Sequence, residues 1–255
     1  MCIRDSIRGW GSIAFIITVI VLGRVIDLYS IRIILILIFC GSLVQALISF
    51  KIPDIQIKKQ TPFSSKVKVL LKRRVVVFLF CAFLMLVSHG TYYGFYSIHL
   101  EDLGYGKTFI GISWALASIA EIVVMIKSDV IFKRFSTDNV LVFSFMVAAF
   151  RWFGLFFATS PASILSLQIL HAVTYGTFHV ASILYIDSLT PDETKTLGQS
   201  VNNATTYGLG LMVGLVMSGY FFESLGTFKM FMISSLIALT GGVLLKGSQV
   251  MARRL

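Results

Sequence analysis

The sequence predicts an all-α membrane protein with about eight transmembrane helices, and three observations carry that prediction. Of the 255 residues, 56% are hydrophobic and 13% are charged, against about 45–50% and about 25% in soluble domains. That leaves too little charge to solvate an outer surface, so lipid is the fitting solvent. Apolar stretches of roughly 20 residues, the length that crosses a bilayer, recur from one end of the chain to the other. The remaining basic residues are gathered into short segments between those stretches.

The first stretch covers 9–28. Arg4 and Arg8 ahead of an apolar run imitate a signal peptide, but no small-residue cleavage site follows, and Arg24 and Asp27 close the run. Residues 1–6 (MCIRDS) enter it without an amphipathic lead and are expected to be a non-native start. A second span covers 31–50. Residues 51–74 then bring eight Lys/Arg and a single acid, Asp54. This basic segment separates two spans from six, which cover 75–97, 108–132, 139–158, 163–186, 200–222 and 227–246. The organisation expected is a two-helix unit (7–50), a cytoplasmic loop (51–74), a six-helix unit (75–246) and a cytoplasmic tail (247–255).

A net charge of +10 would suggest nucleic acid for a soluble chain, but no basic and aromatic binding module accompanies it here. The charge reads instead as contact with anionic lipid and as a topology signal. With the N-terminus placed inside, 17 Lys/Arg fall in inner segments and four in outer ones. The positive-inside rule then puts both ends in the cytoplasm and favours an even number of spans. Cys2, Cys40 and Cys81 show no paired spacing, so neither a disulfide nor a metal site is expected, and nothing calls for a cofactor. An intramembrane enzyme would need a clustered set, and His171, His179 and Asp187 are poorly spaced for one. No enzymatic activity is expected.

Ionisable groups in hydrocarbon cost about 2.5–3.5 kcal/mol each on insertion scales, which makes each a functional candidate. Glu121 lies mid-span in WALASIAEIVVMI, and Trp114, Ser118 and Glu121 share one helix face. Low dielectric favours the protonated acid, and a proton that leaves when water enters is what coupling requires. A structural ion pair is the other reading. Arg151, in MVAAFRWFGLFFATS, cannot lose its charge and needs a partner; Glu121 and a substrate carboxylate are the candidates. His171, with Gln168, Tyr175 and Phe178, forms a half-polar stripe, and His179 falls about 80° round on a straight helix. His171 is either a packed core residue or a donor to a cavity. His89 opens HGTYYGFY, whose tyrosines either belong to an interfacial belt or line an aromatic-accepting cavity. Tyr93 and Tyr96, three apart, are expected to face one way. Gly210, Gly214 and Ser218 recur every four residues and predict tight helix contact.

Four segments together resemble one family. They are RGWGSIAF at 8–15, SHGTYYGFYSIHLEDLG at 88–104, IGISWALASIAEI at 110–122 and LQILHAVTYGTFHVASILYI at 167–186. They resemble the fifth, seventh, eighth and tenth helices of the phenylpropionate-permease-like group of the major facilitator superfamily, which is related to lactose permease. The resemblance implies a major facilitator fold fragment equivalent to helices 5–12 of 12, with the earlier helices of the same fold missing from this chain. It also implies a place in a bacterial inner membrane. Arg8, Glu121, Arg151 and His171 fall where lactose permease keeps its binding and coupling residues. Its second glutamate is replaced by Thr174, and its paired aspartates by Tyr93 and Tyr96. The implied activity is proton symport of a small organic molecule by alternating access. An aromatic or other organic acid would be held by Arg8, Arg151, Tyr93, Tyr96, Trp114, Gln168 and His171, and Glu121, Arg151 and His171 would couple it to the proton. A sugar or nucleoside, met by Gln199, Asn202 and Asn203, is the alternative substrate.

Overall fold

The computed structural model describes residues 3–29, 32–52 and 65–254, with side chains described over 10–29, 32–52 and 68–252. The described backbone is helical nearly throughout. It comprises α1 (Ile3–Leu28), α2 (Ile33–Ser49), a short 3₁₀ segment (Ser65–Leu71), α3 (Arg73–Asp102), α4 (Lys107–Ile126), α5 (Ser128–Arg134), α6 (Thr137–Phe157), α7 (Pro161–Ile169), α8 (Phe178–Leu189), α9 (Lys195–Asn203) and α10 (Leu211–Arg254). Six helical stretches are long and apolar enough to cross a membrane, and α2, at 17 residues, is a shorter apolar helix. The longest stretch, Asp192–Ala252, is broken at Gly226, whose φ of 69° belongs to the left-handed region. With that break counted, seven apolar segments of spanning length and the shorter α2 follow the order of the eight expected spans. Residues 53–64 of the basic segment 51–74 lie outside the described residues.

Local chemistry sets the ends of these helices. Ser136 caps α6 by accepting from the Asn139 amide, and Ser160 caps α7 with Pro161 at its first turn. Gly104, at φ 86°, reverses the chain after α3. Two spans contain widened turns. A π-helical segment, Ala172–Thr177, joins α7 to α8, and a second, Ala204–Gly210, joins α9 to α10. Such bulges favour functional sites.

The small-residue face behaves as its spacing predicts. A Cβ at Gly210 would stand 2.8 Å from the Phe83 carbonyl oxygen, and one at Gly90 or Gly214 would run into the facing backbone. α3 and α10 therefore touch main chain to main chain, and the Ser218, Thr91 and Ser234 hydroxyls join across that seam at 3.0 Å each. α1 packs on α4 in the same manner, at Gly23 and Gly111. α2 buries no residue at all. The core of the larger unit is filled by Phe78, Phe145, Trp152, Phe178 and Phe231, each almost fully buried.

Candidate functional site

A cavity of about 400 Å³ opens between α1 and the larger unit. α1 contributes Gly11, Ser12 and Phe15, and α3 contributes Tyr93. α4 contributes Trp114, Ala117, Ser118 and Glu121, while the α7–α8 span contributes His171 and Tyr175. The face read from Trp114, Ser118 and Glu121 thus does line one space. Trp114 is held by its indole N–H, which donates to Ser97 Oγ at 3.1 Å, and Tyr93 stacks beside it at 6.1 Å.

Arg151 stands behind this wall, fully buried. Its Nε donates to the Leu167 carbonyl at 3.0 Å, one terminal nitrogen donates to Thr174 Oγ1 at 3.1 Å and His171 Nδ1 at 3.0 Å, and the other donates to Gln168 Oε1 at 3.0 Å. The guanidinium also lies over the rings of Tyr92, at 4.4 Å, and Trp152, at 4.6 Å. Those acceptors are neutral, so the charge is held by dipoles and ring faces. Arg151 does not line the cavity. Its sequence-expected contact with Glu121 is replaced by an intervening imidazole.

That imidazole has a defined orientation. Guanidinium can only donate, so Nδ1 of His171 is the accepting nitrogen. The ring proton then sits on Nε2, 3.9 Å from Glu121 Oε2. The order is Arg151, His171, Glu121, and the last two both line the cavity. Gln168 is oriented by the same logic, because its Oε1 accepts from both Arg151 and the Tyr92 hydroxyl, the latter at 2.8 Å. Its Nε2 has no partner among the described residues.

Other expected contributors fall elsewhere. Tyr96 is buried between α3 and α4, where its hydroxyl meets Ser113 Oγ at 2.6 Å. It does not share the cavity with Tyr93, because a three-residue step on a helix leaves about 60° between side chains. Arg8 lies in α1, but its side chain is outside the described residues. Gln199 donates to both Asp187 oxygens, and Asn202 accepts from Thr206. His179 departs from its expected offset: the π segment adds width to the turn, so His171, Tyr175 and His179 come into one file. Their rings lie 5.1 and 6.5 Å apart and within 12° of parallel.

Residues 5–233 match the MFS_1 like family. The chain belongs to this family. It is 30% identical over 240 residues to the "Probable 3-phenylpropionic acid transporter" of Escherichia coli (strain K12), covering 92% of this chain and 62% of that relative. It is 22% identical to the maltose permease of Geobacillus stearothermophilus, covering 94% of this chain and 61% of that protein. The chain thus spans somewhat less than two thirds of the length of these relatives. A crystal structure of the nucleoside transporter NupG superposes with a TM-score of 0.79 at 16% identity, covering 96% of this chain and 67% of that one. The fold is accordingly the major facilitator fold.

In this MFS_1 like chain, two residues of the buried network escaped the sequence reading as contributors. Spacing singles out Tyr93 and Tyr96 and passes over Tyr92, whose hydroxyl donates to Gln168 and whose ring lies under the Arg151 guanidinium. Thr174, read only as a lost carboxylate, accepts a hydrogen bond from Arg151.

Proposed function

We propose that the protein is a proton-coupled secondary transporter of a small organic molecule with an aromatic body, working by alternating access in a bacterial inner membrane with both ends in the cytoplasm. One observation carries the reading: the Arg151–His171–Glu121 series ends on a cavity faced by aromatic rings. Glu121 is the proton carrier. When it is ionised, its charge repels a carboxylate substrate at the cavity wall. When it is protonated, the repulsion is gone, and His171 Nε2–H and the acid O–H are both donors for an incoming anion. Arg151 acts as a positioning group that fixes the His171 tautomer. Tyr93, Trp114, Tyr175 and Phe15 offer ring faces to the substrate body. Arg8, three residues before Gly11 in the chain, is the cation this reading assigns in place of Arg151. Gln168 supports the wall from behind.

The test is uptake of 3-phenylpropionate by the complete protein in proteoliposomes under an imposed proton gradient. Glu121→Gln should abolish gradient-driven accumulation while leaving substrate counterflow measurable. Accumulation that survives the substitution would remove Glu121 from the mechanism.

A second reading, a hydroxylated neutral substrate such as a nucleoside or sugar, draws on the Ser12 and Ser118 hydroxyls in the cavity wall and on the names of two similar proteins. Gln199 and Asn202 are already engaged with Asp187 and Thr206, which weakens it. Competition by phenylpropionate but not by its amide would decide for the acid.

A further inference from the structure

A carboxylate at the end of α1 caps the start of α4. Asp27 closes α1 at the end of the bundle away from Lys127. Its Oδ1 accepts the Lys107 amide at 2.9 Å, and its Oδ2 accepts the Thr108 amide at 2.8 Å and the Thr108 hydroxyl at 2.5 Å. These amides begin α4, so they lack acceptors within their own helix, and the helix dipole favours negative charge there. A helix is ordinarily capped by the residue just before it. Here that residue is Gly106, which has no side chain to offer. The cap comes instead from another helix, 80 residues earlier in the chain. Lys107 in turn pairs with Glu101 of α3, so the clasp gathers three helices.

Beneath the clasp the two helices touch backbone to backbone. A Cβ at Gly23 would stand 2.7 Å from the Lys107 carbonyl oxygen, and one at Gly111 would strike that of Val19. Further along, Phe15 meets Trp114 edge to face at 6.5 Å, and α1 borders the first cavity through Gly11, Ser12 and Phe15. The backbone contact and the Asp27 clasp together tie α1 to the start of α4, beside a second cavity of about 480 Å³ whose lining includes Gly23, Ile26, Lys107 and Gly111. Asp27 is exposed and Lys107 and Thr108 are half-buried, so water can reach the clasp when it opens.

We propose that Asp27 is a releasable latch between the 7–50 unit and the 75–246 unit, holding the Asp27 face of the α1–α4 seam shut and letting go when the cavity opens to that face. The inference rests on the two-unit, alternating-access reading. It is independent of the proton carrier and of the substrate.

The test uses the complete protein with its native cysteines replaced and a single reporter, Ser118→Cys, in the cavity wall. A membrane-impermeant maleimide is applied from either face in vesicles of known orientation. Asp27→Ala should raise the labelling rate from the Asp27 face by about tenfold, the scale of losing a charge-assisted set of hydrogen bonds, and slow labelling from the opposite face. Asp27→Asn, which keeps one accepting oxygen, should fall between. Unchanged rates in Asp27→Ala would overturn the proposal. Adding Gly106→Ser to Asp27→Ala returns a local cap to α4 without restoring the tie to α1, and it also supports α4 should the single variant fold poorly. Labelling that stays fast in the double variant supports a latch. Labelling that returns to the parental rate shows that Asp27 only stabilises α4, and the latch is then rejected.

Discussion

The stem of Glu121 rests on the backbone of Gly176. A methyl group at Gly176 would lie 3.1 Å from Glu121 Cγ and 3.6 Å from its Cα. The contact joins α4 to the widened turn that follows His171, and it sets how near the acid can come to the imidazole. Gly176→Ala is therefore expected to displace Glu121 and lower gradient-driven uptake by about tenfold, since small misplacements of reacting groups carry large kinetic costs. Gly208→Ala, in the other π segment with nothing within 4 Å of the new methyl, should leave uptake near parental. Uptake assays of the two variants side by side check the contrast.

Arg151 uses the fork geometry of guanidinium, bonding through three nitrogens to three side chains and a carbonyl. Lysine offers a point charge with no such fork. Arg151→Lys should cost at least about tenfold in uptake, whereas Thr174→Val, which removes one acceptor, should cost about 1 kcal/mol of stability and a smaller share of activity. Thermal unfolding in detergent and initial uptake rates separate the two effects.

Tyr93 and Tyr96 are expected to respond differently. Tyr93→Ala opens the cavity wall and should raise the KM for an aromatic substrate several-fold, through loss of ring contact worth about 0.5–1.5 kcal/mol. Tyr96→Phe leaves the residues lining the cavity in place and removes the hydroxyl that bonds Ser113. It should lower stability by about 1 kcal/mol with KM unchanged.

The α3–α10 seam should be intolerant of bulk. Gly214→Ala forces a methyl into the Val87 and Gly90 backbone, where overpacking costs about 1–3 kcal/mol. Gly219→Ala, facing open space on the same helix, should be neutral. Thermal midpoints of the purified proteins test this.

What could be read from the sequence depended on regular periodicity. The spans, the Gly210–Gly214–Ser218 seam and the common face of Trp114, Ser118 and Glu121 all follow from counting along an ideal helix. The file of His171, Tyr175 and His179 does not, because one π segment breaks the count, and local composition does not announce such a segment. The pairing of Asp27 with the start of α4 was equally hidden. It joins residues 80 apart, and an acid at a helix end reads from sequence as an ordinary boundary. That Arg151 needs a partner follows from its fixed charge in mid-span. Its choice of a threonine, a glutamine and a histidine over the one nearby carboxylate depends on packing depth, which one-dimensional spacing does not contain.

The surroundings of Arg151 also bear on how the chain is made. Leu167, Gln168, His171 and Thr174 all follow it in the sequence, so the ribosome delivers the cation before any of its hydrogen-bond acceptors. Alone in a membrane, α6 would carry an unsolvated charge at a cost of about 2.5–3.5 kcal/mol. That cost lasts until the next span is synthesised. α6 and the α7–α8 span are consequently expected to enter the bilayer as a pair, with the insertion of one helix waiting on the translation of the next.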